Sequence, residues 1–138
     1  MAKQDPKIHE LWQSIFQNWP VPLAEKRSMK LSREGGRIFN FVKEGFHPTH
    51  STILVSTDKL TAGFFRLIPG AFYFASSHAN SDEFYYVLTG SVTILINDTE
   101  SFDVKAGEAF LVKVQDKHQV FNFTSEMVEV LFCLAPEL

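Results

Sequence analysis

Cysteine is almost missing from this 138-residue chain: Cys133 stands alone, so no internal disulfide framework is possible. Basic runs are missing too, and the formal net charge is −3, which removes the electrostatic footprint of a nucleic-acid binder. No apolar run approaches the ~20 residues of a membrane-spanning helix, so no membrane partner is expected. The opening "MAKQDPKIHELW" has no apolar signal-peptide core. From these absences a cytoplasmic location is expected. There is also no glycine-rich phosphate loop, nucleophile elbow, internal repeat or low-complexity segment. What remains is an ordinary soluble composition, 45% hydrophobic and 21% charged, in a chain long enough for one core.

Phenylalanine is abundant, with 14 copies, which points to a core or pocket with aromatic walls. Residues 1–22 read as an N-terminal helix and a proline-rich turn. Asp5 can cap the helix, Pro6 suits its first turn, and "WPVP" stops it. Ile8, Leu11, Trp12, Ile15, Phe16 and Trp19 recur at helical spacing. This aromatic stripe can pack on its own domain or help build a homodimer. From residue 23 to 138 the pattern is almost all strand. "RIFNFV", "STILVST", "TAGFFRLI", "EFYYVLTG", "SVTILIND", "AFLVKV", "HQVFNF" and "VEVLFCLA" are short β-branched and aromatic runs broken by turn residues. Many short strands with no second helix predict an all-β sandwich or barrel.

The stretch "PGAFYFASSHANSDEFYYVLTG" carries a regular spacing. Gly70 is followed by five residues, then Ser76-Ser77-His78, four residues, Glu83, six residues and Gly90. This resembles the first cupin motif, glycine then His-x-His, glutamate and glycine, with Ser76 at the first histidine position. Taking His78 as the first histidine and Asn80 as the second breaks the spacing on both sides. Downstream, Gly107, Lys113, Gln115, His118 and Asn122 stand at the positions of the second cupin motif. Its glycine, histidine and asparagine match; its proline and internal glycine do not. Both motifs, in order, identify the chain as resembling a small single-domain cupin of the conserved-barrel type. The resemblance implies an antiparallel jelly-roll barrel, and small cupins commonly dimerise.

Strand alternation agrees with that resemblance. Phe72, Phe74, Ser76 and His78 share one parity, Glu83, Tyr85 and Val87 another, and His118, Val120 and Asn122 a third. The expected metal ligands are His78, Glu83 and His118, an N/O set suited to Fe, Mn, Ni, Zn or Co. Three ligands leave positions open for water and substrate. The resemblance implies a fourth ligand; Ser76, a poor ligand beside imidazole, would instead hold a metal-bound water or a substrate oxygen. Ordinary cleft roles for the two histidines, and a surface role for Glu83 beside Asp82, remain the alternatives.

Phe72, Phe74, Val87, Val112 and Val120 are expected to line an apolar pocket. Tyr85 is a candidate proton donor, or else a packed tyrosine. Arg66 is a candidate for a substrate carboxylate, or else an outward strand residue. Asn122 is a pocket candidate that also suits a turn. His47 and His50 read as exposed loop residues or a source of a fourth ligand, His9 as solvent-facing, and Cys133 as a buried apolar residue.

The expected function is a metal-dependent enzyme acting on a small organic molecule. Isomerase, lyase or decarboxylase, and dioxygenase chemistries all occur on the scaffold that the chain resembles. A small-ligand binding or sensing module is the rival from another class, favoured by Ser76. A structural cupin without a working site is the third.

Overall fold

The computed structural model describes residues 27–41 and 49–136; the expected N-terminal helix, His9 and His47 lie outside them. The described residues form nine strands: β1 (Arg37–Phe41), β2 (Thr49–Ser56), β3 (Thr61–Leu67), β4 (Asp82–Thr89), β5 (Ser91–Ile96), β6 (Glu100–Lys105), β7 (Ala109–Val112), β8 (His118–Phe121) and β9 (Val128–Ala135). All the pairings are antiparallel. A six-stranded sheet runs β1-β2-β3-β9-β4-β7, and a three-stranded sheet runs β6-β5-β8. Among the described residues no helix is long and apolar enough to cross a membrane.

The core fills the space between the sheets. Phe65, Tyr85, Val87 and Val130 enter it from the larger sheet, Val92, Ile94 and Val120 from the smaller. Alternation is the cause: β3 is buried at every second residue, so Phe65 and Leu67 point in while Phe64 and Arg66 point out. Complete burial of a branched or aromatic side chain stabilises by about 1.5–3 kcal/mol. The shared interior is therefore what holds two otherwise separate sheets face to face.

Residues 70–78 close the open side of β8 as an irregular fourth strand. Phe72 bridges Phe121, and Ser76 bridges His118. The hydrogen bonds reveal a slip: Tyr73 N donates to Val120 O, whereas Ser76 N donates to His118 O. Three steps along this segment oppose two along β8, as in a β-bulge. Parity therefore changes partway. Ala71 and Tyr73 reach the core before the slip, and Ser76 and His78 point in after it.

This corrects the single-face expectation for Phe72, Phe74, Ser76 and His78. Phe72 lies outside with Phe121, their ring centroids 5.8 Å apart. Tyr73 takes the inward place, 5.5 Å from the Phe65 ring. Phe74 is buried at the slip itself. Cys133, expected to be buried, is only half-buried, because on β9 it alternates with Leu134 and pairs with outward-facing Phe84.

Three glycines sit where the chain needs φ > 0. Gly70, Gly90 and Gly107 have φ of 78°, 79° and 87°. At Gly90 a side chain would also collide, since an added Cβ would lie 2.5 Å from Val128 Cγ1.

Candidate metal centre

Three strand-end positions converge at one end of the barrel. Glu83 is the second residue of β4, held between Leu134 of β9 and Val112 of β7. Its neighbour Asp82 turns outward and accepts from Lys113 Nζ at 2.9 Å and from Val114 N at 2.8 Å. Alternation thus assigns the two adjacent carboxylates different tasks. Asp82 ties down the β7–β8 connection, and Glu83 is buried in the barrel.

His118 opens β8, and its ring is oriented from behind. Its Nδ1 lies 3.1 Å from the carbonyl oxygen of Asp116. A carbonyl only accepts, so Nδ1 carries the proton and Nε2 faces the interior. Asp116 is itself restrained. Asn97, in the β5–β6 turn, donates from Nδ2 to Asp116 Oδ1 at 3.1 Å and accepts from Lys117 N at 2.9 Å. Asn97 is a positioning residue that the sequence motifs passed over. Its signal was the "ND" turn, where Asn97 and Asp98 have φ of 51° and 59°.

His78 ends the irregular strand. Its carbonyl accepts from Gln115 N at 2.8 Å. Gln115 has φ of 71° and occupies the position where the second motif has glycine. The left-handed backbone of the motif is kept here without the residue that favours it.

The three side chains meet closely. His78 Nε2 lies 3.4 Å from Glu83 Oε2, and His118 Nε2 lies 3.3 Å from Glu83 Oε1. One ligand atom from each residue falls within 4.8 Å of the others, and all three residues are buried. Metal–nitrogen and metal–oxygen bonds of about 2.0–2.2 Å place donors on one ion roughly 3–3.5 Å apart. Two imidazoles and one carboxylate at these separations fit a divalent ion with small adjustments. His78, Glu83 and His118 are the residues that could hold it.

The three side chains are buried together, so the charge of each depends on the others. Burial works against ionisation of Glu83, but the imidazoles of His118 and His78 beside it outweigh that and hold the carboxyl well below the usual carboxylate range. Burial disfavours the imidazolium of His118, yet the Glu83 carboxylate beside its Nε2 leaves its pKa net raised. Tyr85, two residues beyond Glu83 on the same face, is buried with its ring centroid 6.3 Å from that of His118. Burial, then the charge of Glu83 and a hydrogen bond to it, push the phenol well above its ordinary value. At neutral pH Tyr85 keeps its proton.

Ser76 is buried, with its Oγ 3.5 Å from His118 Nε2. The hydroxyl therefore borders the ligand cluster from the position where the motif has an imidazole. Val87, Val112 and Val120 are core residues around this end.

Other site candidates fall elsewhere. Arg66 projects from the outer face of β3, its Nε 2.7 Å from Glu129 Oε2 and its Nη1 2.7 Å from His50 Nδ1. Strand alternation puts it on the opposite side from Glu83. His50 lies in β2 rather than in a connection, and partners Arg66 on that outer face. Asn122 is fully buried but spends its side chain on the β8–β9 turn. It donates to the carbonyls of Leu67 and Glu126 and accepts from Thr124 N and Oγ1. Its side chain thus ties the β8–β9 turn to the end of β3.

The profile of the cupin domain matches residues 63–134, just over half of the sequence and every residue of the cluster. The chain belongs to the cupin family. A search of curated proteins finds no match. Solved cupin-fold structures superpose closely. One is a predicted oxalate decarboxylase from Thermotoga maritima, at 19% identity and a TM-score of 0.70, covering 78% of this chain and 99% of that one. Another is KdgF from Halomonas sp., at 18% and 0.68, covering 81% and 96%. A third is an RmlC-like cupin from Shewanella frigidimarina, at 18% and 0.62, covering 78% and 95%. At these identities the likeness is one of fold.

Proposed function

We propose that this cupin is a metal-dependent enzyme for a small organic molecule, with His78, Glu83 and His118 holding a divalent ion. The observation that carries this is the convergence of two imidazole nitrogens on one buried carboxylate, each within 3.4 Å. Two imidazoles and one carboxylate gathered in a buried place are the N/O donor set that a divalent ion takes.

A bound divalent ion would supply a Lewis acid for a carbonyl, carboxylate or hydroxyl oxygen of the substrate. The chain supplies the rest. Glu83 contributes negative charge and lowers the net charge of the loaded site. Asp116 O fixes the tautomer of His118. Tyr85 keeps its phenolic proton at neutral pH, so it can hold a substrate oxygen or Glu83 as a hydrogen-bond donor. Ser76 offers a neutral hydroxyl that can accept or donate beside His118. Tyr73 and Phe132 pack with Phe65, which in turn meets Tyr85, so an aromatic core backs that tyrosine.

Ser76 also favours a second reading, a barrel that holds a small ligand without turning it over. Elemental analysis of protein purified without added metal separates these ideas from a site-less cupin. Stoichiometric Fe, Mn, Ni, Zn or Co that falls sharply in His118→Ala supports the metal centre. Absence of metal, with no uptake of any of the five, would remove it. A metabolite that raises the melting temperature of loaded protein but returns unchanged favours the binding module.

A further inference from the structure

The chain that leads into β1 crosses the outer face of the larger sheet. Residues 27–36 form no regular element, and residues 27–35 are exposed. They nevertheless follow a fixed course. Gly36 N donates to the carbonyl of Arg33 at 3.1 Å, closing a turn, and Gly35 N donates to Ser32 Oγ at 3.2 Å. The turn lies flat on β2. A Cβ added at Gly36 would stand 2.3 Å from Thr52 Cγ2 and 3.3 Å from Ile53 O, so only glycine lets the backbone come this close. From the turn, Arg33 reaches over β3 to β9. Its guanidinium lies 4.4 Å from the centroid of the Phe64 ring and donates to both oxygens of Glu129, at 2.6 and 3.0 Å.

Among the described residues, every hydrogen bond from residues 27–36 to the barrel comes from this one side chain. The attachment is directional in geometry and weak in setting. A bidentate guanidinium–carboxylate pair fixes its partners. Arg33 is 48% exposed, however, and pairs of that exposure are weak and screened by salt. Glu129 is also provided for when Arg33 leaves. Arg66 Nε lies 2.7 Å from Glu129 Oε2, and Arg66 Nη1 lies 2.7 Å from His50 Nδ1. Opening therefore strands no buried charge. The pair stands well away from the metal cluster. On β9, Glu129 pairs with Thr89 and Leu134 with Glu83, about 17 Å apart along the strand, and Glu129 and Glu83 face opposite sides.

We propose that residues 27–36 are a strap closed across β2, β3 and β9, and that the Arg33–Glu129 pair is its latch. Breaking the pair frees the strap as a unit. It uncovers the Phe64 ring and the Arg66–Glu129 pair, while the barrel and the metal cluster stay as they are. One charge pair thus covers or uncovers this face without refolding the sheet beneath it.

Trypsin reads the strap in the full chain, because a protease cuts only where several residues around the bond are free to leave the fold. Lys30 and Arg33 both lie in the strap. In dilute buffer, cutting after either residue is expected to be slow. Glu129→Gln should speed both cuts at least several-fold. Arg33→Gln removes one cutting site and should speed the cut after Lys30 by a similar factor. Salt at about 1 M should speed both cuts in the parent and change neither in Glu129→Gln, with trypsin normalised on a small substrate. Faster cutting after Arg33 alone would mean that only that side chain is held, and would overturn a strap that moves as a unit. Equal rates in the parent and Glu129→Gln, or a salt effect that persists in the variant, would overturn the latch. Near-native circular dichroism shows that each variant keeps its barrel.

Discussion

Gln115 N donates to the carbonyl of His78 at 2.8 Å, and it does so from a left-handed backbone with φ of 71°. The turn that delivers His118 to β8 is thereby tied to the residue that delivers His78. A non-glycine residue in this conformation costs roughly 1–2 kcal/mol. Gln115→Gly relieves that cost but gives back about 0.5–1 kcal/mol through the freer unfolded chain. A net gain of about 0.5–1 kcal/mol is expected. Urea unfolding should show a higher midpoint with the same slope, and metal occupancy should be retained. A lower midpoint would show that the exposed side chain contributes more than its backbone strain costs.

Ser76→His tests the fourth position. Residue 76 bridges His118 and its side chain is buried beside the cluster, so an imidazole there joins the two already present. Metal affinity should rise at least about tenfold, or ~1.4 kcal/mol. Competition with a chelator measures it. Equal affinity in the two proteins would place residue 76 outside the coordination sphere.

Gly90→Ala should be far more damaging than Gly70→Ala or Gly107→Ala. All three glycines have φ near 80°, so each substitution carries the left-handed strain of about 1–2 kcal/mol. Only at Gly90 does the added Cβ meet a neighbour, Val128 Cγ1 at 2.5 Å, and Val128 is fully buried. Overpacking of that kind adds about 1–3 kcal/mol. Three melting curves make the comparison, and equal losses at the three sites would refute the steric part.

Glu129 gives the outer face a pH-dependent clamp. Hydrogen bonding to Arg33 lowers its pKa most, burial opposes this, and Arg66 adds to the lowering. A carboxyl with a lowered folded value stabilises the protein above its unfolded value, near the ordinary 4.5, and that contribution disappears as pH falls through the folded value. The stability gap between the parent and Glu129→Gln should therefore be full at pH about 7 and shrink below about 4.5. Denaturation at the two pH values tests the sign. A gap that widens in acid would contradict it. Because Arg33 is largely exposed, the gap at neutral pH should also narrow in high salt.

Strand-rich patterning made most of the barrel legible. β4 and β9 stand out because buried β-branched and aromatic residues recur along them. β6 was invisible for the opposite reason. "ESFDVK" buries only Val104, so it has almost no apolar signal, and pairing with β5 makes it a strand. Motif spacing picked out His78, Glu83 and His118, because a β-barrel converts fixed intervals into fixed positions. It could not place Phe72, since the slip opposite Val120 is a property of two paired segments rather than of one. Arg66 and Asn122 were ambiguous in the same way. A polar residue on a strand reads alike whether it faces a pocket, a turn or the outside, until its pairing partners are known. Whether residues 1–22 are helical falls outside the described residues.

The extra residue between Tyr73 and Ser76 lets one short stretch serve two neighbours. Upstream of it, side chains fill the aromatic core; downstream, they border the ligand cluster. Length is then held more tightly than composition in this stretch. Exchanging Ala75 for another small residue leaves the phase of Ser76 and His78 untouched. Deleting it would restore simple alternation and send one of the two sets, core or cluster, to the wrong side of the wall. Residue type in this stretch is thus a looser requirement of the fold than residue number.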